Sequence, residues 1–411
     1  MDWDSSRNKS NYFVILFTYV VDLMGFSIVF PILAPLLLGN EYNFFGFDAS
    51  LTFKTTMLGL LYSIFGIGQL ISTPLINYLS SLIGRFWVLI FCSFISFCGY
   101  ILMAYTVFEE HLPLLFFGRL LTGLASGTIL LSQSAVHDLT NSSNRDQGFQ
   151  ILNTAGALAF MLGPWIGGKL SNFTWIYGSG GLFFAATISL INFFLIVFFY
   201  RESFHAKSQS GNFGFFQFFV ELKTILHNIP LLKLFSVFIF FALGWSIFLI
   251  FSPAMLVQNF QMLPDIIGDF YAYFSVLWAF TILFLVKFFS EERWTRPLTF
   301  LGFLLAIVGM ALFAHNEVVW YFWWIIPFVI VGSALAWAMI GKLTQYFCHS
   351  EDAEVGIHGL NFIWTSAQIL GPILVGPLAG LHPKLPISLG AVLILIAFFF
   401  YSILLKKEEH G

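Results

Sequence analysis

The chain has 411 residues, of which 58% are hydrophobic and only 9% are charged. Soluble domains carry roughly 25% charged residues, so this composition excludes a water-exposed globular fold. A net charge of −3 gives no indication of nucleic-acid binding. The three cysteines have no spacing typical of a disulfide framework or a metal site. We therefore expect an integral membrane protein with no metal centre.

Apolar stretches long enough to cross about 30 Å of hydrocarbon as helices recur along the whole chain. They lie near residues 12–38, 53–78, 87–107, 113–136, 149–171, 174–200, 229–257, 265–290, 297–314, 318–343, 353–379 and 384–405. The first stretch is longer than a signal-peptide core and has no small-residue cleavage site, so we expect it to remain as a membrane anchor. The sequence predicts an all-α membrane protein with twelve transmembrane helices.

The basic residues predict the orientation of these spans. An even number of spans places both termini on one side of the membrane, and most of the 18 Lys and Arg residues fall on that side. The other side receives only Lys54, Lys169 and Lys384, while Arg119 falls inside a span. Since basic loops stay in the cytoplasm, both termini are expected there.

The longest internal polar segment divides the chain into nearly equal halves. We predict an N-terminal six-helix bundle at 1–200, a cytoplasmic linker at 201–228 and a C-terminal six-helix bundle at 229–411. Apolar residues at helical spacing in the second part of the linker predict an amphipathic helix there.

The two halves also resemble each other in sequence. At a constant offset of 208 residues, Asn153 pairs with Asn361 and Gly163-Pro164 pairs with Gly371-Pro372. Repeated halves are typical of secondary transporters, which bind the solute near mid-membrane between the two repeats.

Asp22 and Arg119 are the ionisable residues that stand out inside the spans, where such groups are costly and are functional candidates. At about 1.5 Å per residue, Asp22 lies ~15 Å from the inner end of span one and Arg119 lies ~9 Å from the outer end of span four. Their heights in the membrane therefore differ by only about 6 Å. Protonation of Asp22 could free Arg119 for a solute group, whereas the alternative is a static ion pair.

Small residues give span five a flat face. Ala155, Ala159, Gly163 and Gly167 follow at four-residue spacing, which lets another helix pack closely. Pro164 removes one backbone hydrogen bond and permits a bend, so packing and a moving hinge both remain open.

Uncharged polar residues inside the spans could line a wet cavity or form hydrogen bonds between helices. These candidate cavity residues are Gln69, Gln133, Asn153, Asn361 and Gln368.

Several of these residues fall in longer motifs. An acid, a glycine and a proline follow one another in Asp22 to Pro31, and Gly118-Arg119 begins a glycine-rich run in span four. The remaining motif residues are Gly84 and Arg85 after span two, Asp138 and Arg145 after span four, and Gly156, Gly163, Pro164, Gly167 and Gly168 in span five. Together they resemble the major facilitator superfamily, especially its drug:proton antiporter branch with tetracycline-type exporters.

The resemblance implies two pseudo-symmetric six-helix bundles and proton-coupled export of a small amphipathic organic molecule by alternating access. It also implies a monomer in the bacterial inner membrane, with no cofactor beyond the proton gradient. The loop after span two departs from the family pattern, because Asn77, Ser81 and Leu82 replace the usual Gly, Asp and Arg. In the family that acid helps to hold the cytoplasmic gate shut, so we expect a different gate here.

Two other functions fit the same fold. Uptake of a nutrient or a metal chelate would use similar architecture, and a non-transporting sensor is compatible with the eroded loop. An intramembrane enzyme is not expected, since no span holds paired carboxylates or a Ser/His dyad. No ATP-binding Gly-rich loop occurs either, so an ion gradient is the expected energy source.

Overall fold

The computed structural model describes residues 6–39, 41–46, 48–140, 144–172, 178–202, 228–289, 291–347 and 353–408. Within that part of the chain, 12 helical segments are long and apolar enough to cross a membrane, which confirms the predicted count. The predicted amphipathic helix of the linker lies outside the described residues.

The first six spans are built from eight helices. Span one comprises α1 and α2, and span four comprises α5 and α6, while α3, α4, α7 and α8 form spans two, three, five and six. Their bounds are Ser6–Ile28, Phe30–Leu38, Leu51–Ile83, Arg85–Glu109, Leu112–Ala125, Thr128–Leu139, Arg145–Ser171 and Gly180–Phe199.

The last six spans are built from seven helices. Span eight comprises α10 and α11, joined by a π-helical turn at Thr281–Leu285, while α9 and α12 to α15 form spans seven and nine to twelve. The bounds of α9 to α15 are Ile229–Phe260, Pro264–Phe280, Val286–Phe288, Thr295–His315, Phe322–Phe347, Ala353–Leu381 and Leu385–Glu408.

Three spans are interrupted, two of them near residues singled out above. Span one breaks at Val29, where Pro31 in the first turn of α2 lacks the N–H that a continuous helix needs. Span four breaks at Ser126 and Gly127, between the helix that carries Arg119 and the next one. The π turn of span eight is a local widening of a kind that often marks functional sites.

The helix pairings of the first half recur in the second half. Span one packs on spans five and six, and span seven packs correspondingly on spans eleven and twelve. Spans three and four pair as spans nine and ten do. At matching positions, Gly163 faces the Ser27 hydroxyl and Gly371 faces the Ser246 hydroxyl. This correspondence identifies two pseudo-symmetric six-helix bundles, as the sequence predicted.

Contacts between Cα atoms group the chain into two compact units whose borders cut through two spans. One unit contains the chain up to Asp48, the chain from Ile64 into the linker, and the segment Met262–Ala272. The other contains Ala49–Ser63, the chain from the linker to Gln261, and the chain from Tyr273 onward. The N-terminal part of span two thus groups with the second unit, and the beginning of span eight groups with the first.

Candidate functional site

Asp22 lies in the middle of span one, where its carboxylate is held by span four. The Thr128 hydroxyl donates a hydrogen bond of 2.5 Å to Asp22 Oδ2. Thr128 begins α6 directly after the break at Ser126 and Gly127, so the interruption of span four brings its hydroxyl to the acid. Asp22 is only partly buried, whereas Thr128 is 1% exposed.

Arg119 lies on α5 in the same bundle and is completely buried. Its guanidinium carbon lies 4.3 Å from the centre of the Phe65 ring of span two. A guanidinium over an aromatic face gains a cation–π attraction that partly offsets the loss of water. The structure therefore brings the two predicted ionisable residues into one bundle, with Thr128 and Phe65 as neighbours that the sequence did not identify.

A cavity of about 10 Å³ opens beside the Asp22 carboxylate. Its polar lining comes from four spans and consists of Asp22, Ser96, Tyr100, Thr122, Ser126 and Ser189. Val21 and Phe65 complete the wall. A space of this size holds about one water molecule.

The glycine motif of span five packs against span one. A Cβ atom at Gly163 would collide with Ser27 Oγ and lie 2.7 Å from the Met24 carbonyl oxygen. A Cβ atom at Gly156 would lie 2.6 Å from the Tyr19 ring, and one at Gly167 would lie 2.6 Å from the Ile28 carbonyl oxygen. The predicted flat face is present, and the helix that it receives is the one that carries Asp22.

Gly168, the last residue of that motif, faces another helix. A Cβ atom at Gly168 would meet the Pro264 carbonyl oxygen and the Gly268 Cα atom at the beginning of span eight. Beside this contact, Lys169 Nζ lies 2.8 Å from Asp269 Oδ2. The ion pair was not identified from the sequence, because two residues 100 positions apart share no local pattern.

The charged residues near the predicted cytoplasmic end also come together. Arg85 donates to Asp138 Oδ2 at 2.6 Å, joining the start of span three to the end of span four. Gly84 has a φ of 87°, a backbone conformation that favours glycine. A Cβ atom at this position would meet the Glu202 carboxylate. Glu202 accepts a hydrogen bond of 3.0 Å from the Phe86 N–H at the N-terminus of span three. Arg145 begins span five, and its side chain lies outside the described part.

The predicted cavity-lining residues fall in several environments. The Gln133 side chain lies beside the Tyr19 hydroxyl, where span four meets span one. Gln69 is partly buried, Gln368 is buried, and Asn153 and Asn361 are exposed. Their predicted contact with solute stays a prediction.

An aromatic cluster joins spans seven, eight, ten and eleven of the second unit. Trp245 stacks on Trp278 with ring centres 5.5 Å apart. Trp337 contacts Trp278 at 6.2 Å and Trp364 at 5.1 Å. Trp278, Trp337 and Trp364 are all partly exposed. This tryptophan cluster could not be recognised from the sequence, because tryptophans inside apolar spans look like ordinary packing residues.

Sequence relatives are resistance proteins. The chain is 31% identical to the tetracycline resistance protein, class H, of Pasteurella multocida over 196 residues, 48% of this chain and 45% of that protein. It is 24% identical to the class B protein of Escherichia coli, covering 97% of this chain and 95% of that one. It is 23% identical to the quinolone resistance protein NorA of Staphylococcus aureus, covering 93% and 95%.

Solved structures share the fold at much lower identity. The nucleoside transporter NupG superimposes with a TM-score of 0.75 at 13% identity, covering 98% of this chain and all of that one (100%). The human organic anion transporter MFSD10 superimposes with a TM-score of 0.66 at 17% identity, covering 97% and 100%. A family profile described as Major Facilitator Superfamily matches residues 15–372. The chain belongs to the Major Facilitator Superfamily and is a membrane transporter rather than an enzyme.

Proposed function

We propose that this transporter exports a small amphipathic organic molecule in exchange for protons, by alternating access. Asp22 carries the proton, and Arg119 is the fixed positive charge of the same bundle. The energy source is the proton gradient, and no other cofactor is needed. The protein acts as a monomer in the bacterial inner membrane, with both termini in the cytoplasm.

The observation that carries the proposal is the setting of Asp22. A carboxylate inside a membrane span is costly unless it is hydrogen-bonded or protonated. Here one oxygen accepts from Thr128, and the group opens on a small polar cavity rather than on lipid. A carboxyl group in such a place can exist both charged and neutral, which a proton carrier requires.

Export is supported by the sequence relatives, which are named as tetracycline and quinolone resistance proteins. Structures at 13% to 17% identity share the fold alone, so they carry no argument on direction or substrate. The tryptophan cluster supports an aromatic or cationic substrate, since partly exposed indole rings attract planar rings and cations.

Inverted membrane vesicles test the direction of transport. In such vesicles an exporter accumulates substrate in the lumen when the lumen is acidified, so tetracycline, a fluoroquinolone and a lipophilic cation would each be offered in turn. Accumulation that an uncoupler abolishes, and that is absent from Asp22→Asn vesicles, is the expected result. Accumulation of a compound only in right-side-out vesicles would contradict export and favour uptake.

A further inference from the structure

Tyr100 of span three lies against the helix that carries Asp22. A Cβ atom at Gly25, one turn beyond Asp22, would collide with the Tyr100 hydroxyl and lie 3.0 Å from the ring carbon Cζ. Only the missing side chain of Gly25 makes room for the phenol. The Tyr100 side chain lines the cavity described above together with Asp22.

Three of the hydroxyl groups around this cavity are arranged to accept hydrogen bonds from its contents. Ser126 donates to the Gly123 carbonyl at 2.7 Å, and Ser189 donates to the Ala185 carbonyl at 2.8 Å. Thr122 likewise donates to the Arg119 carbonyl at 2.9 Å. Because a hydroxyl has one proton, these oxygens offer only lone pairs to the cavity.

A molecule that suits such a lining is small and rich in hydrogen-bond donors. A water molecule brings two donors, and a buried water usually makes about three hydrogen bonds. Tyr100 differs from Ser126, Ser189 and Thr122 because its phenol can donate a hydrogen bond to the cavity as well as accept one. Its hydroxyl can therefore change its hydrogen bonding when the charge of Asp22 changes.

We propose that the cavity holds one water molecule through which Asp22 exchanges its proton, and that Tyr100 is the positioning residue of that water. The proton passes from a hydronium ion at this position to the Asp22 carboxylate, which leaves a neutral carboxyl group and a water molecule; the reverse step releases it. The inference rests on the proposed function, since it takes Asp22 to be the proton carrier.

The other titratable or charged groups around this site come from spans three and four. Cys92 and Tyr100 lie near Asp22 on span three, and Arg119 of span four lies over the Phe65 ring. Span six contributes the neutral Ser189, and span two contributes Phe65. A substitution of Tyr100 therefore changes the hydrogen bonding of the site without removing a fixed charge.

Infrared difference spectroscopy of the full-length protein in lipid bilayers tests the inference. A pH titration follows the carboxyl C=O band that Asp22→Asn removes, and oxygen-labelled water identifies O–H bands that belong to bound water. In Tyr100→Phe, which keeps the ring, we expect the water band to vanish and the midpoint pH of the carboxyl band to move by about half a unit or more, the equivalent of one hydrogen bond. Proton exchange should slow about five- to tenfold.

Tyr105→Phe is the matched control. Tyr105 lies on the same helix, but its side chain is 51% exposed and its hydroxyl donates to Glu109. Its variant should match the wild type in both bands. If Tyr100→Phe also matches the wild type while the Asp22 band titrates, the inference is overturned and the proposed function stands. If Asp22→Asn removes no band, both are overturned.

Discussion

Replacement of Gly163 by alanine tests whether the glycine face of span five determines the stability of the first bundle. The added methyl would collide with Ser27 Oγ and lie 2.7 Å from the Met24 carbonyl oxygen, a backbone atom that cannot turn away. Such overpacking costs about 1–3 kcal/mol. Alanine recovers up to about 1 kcal/mol through its higher helix propensity. We therefore expect Gly163→Ala to lower the unfolding free energy by about 1–2 kcal/mol.

Gly341→Ala is the matched control, because a Cβ atom there meets nothing within 4 Å inside the helix Phe322–Phe347. That variant should be neutral or more stable by up to about 1 kcal/mol. Reversible unfolding in dodecyl sulfate, followed by circular dichroism, measures both variants against the wild type. Equal stability of Gly163→Ala and Gly341→Ala would refute the close packing of span five on span one.

Three further predictions concern other parts of the molecule. The Lys169–Asp269 pair is partly exposed. A double-mutant cycle with Lys169→Gln and Asp269→Asn should therefore give a coupling free energy of about 0–1 kcal/mol that falls at high salt. A larger coupling free energy that does not depend on salt would contradict a solvated pair. Trp337→Ala should weaken the transport of planar aromatic compounds more than Trp324→Ala does. Trp324 is the control, because it lies on the same helix and is 66% exposed. Equal losses of transport would argue against the tryptophan cluster as a binding surface. Burial and two neighbouring glutamates raise the pKa of Tyr42 to about 12, so the unfolded chain loses this proton first and stability should fall as the pH rises from about 10 toward 12. Tyr42→Phe should remove that part of the slope in a pH series of unfolding free energies.

Much of the fold could be predicted because it follows from local sequence patterns. Twelve apolar stretches, the offset of 208 residues between the halves and the glycines of span five are all visible along the chain. In each case the property depends on which residues one helix presents, and helical periodicity determines that.

The partners of the candidate site could not be predicted in the same way. The folded chain brings together residues that are distant in sequence. Thr128 lies beside Asp22, Tyr100 lies beside Gly25, and Glu202 lies beside Gly84. A threonine, a tyrosine and a glutamate at a span end carry no pattern that distinguishes them from ordinary packing or solvated residues. Their roles depend on the crossing of helices, which the hydrophobic pattern alone leaves open.

Proton movement coupled to substrate in liposomes is the most direct test of the central claim. Purified protein with a trapped pH indicator would be compared with Asp22→Asn and Asp22→Glu, each with and without a transported compound. The account predicts substrate-dependent proton flux in the wild type, its loss in Asp22→Asn and its partial retention in Asp22→Glu, which keeps the carboxyl group. Undiminished proton flux in Asp22→Asn would contradict the claim that Asp22 carries the proton.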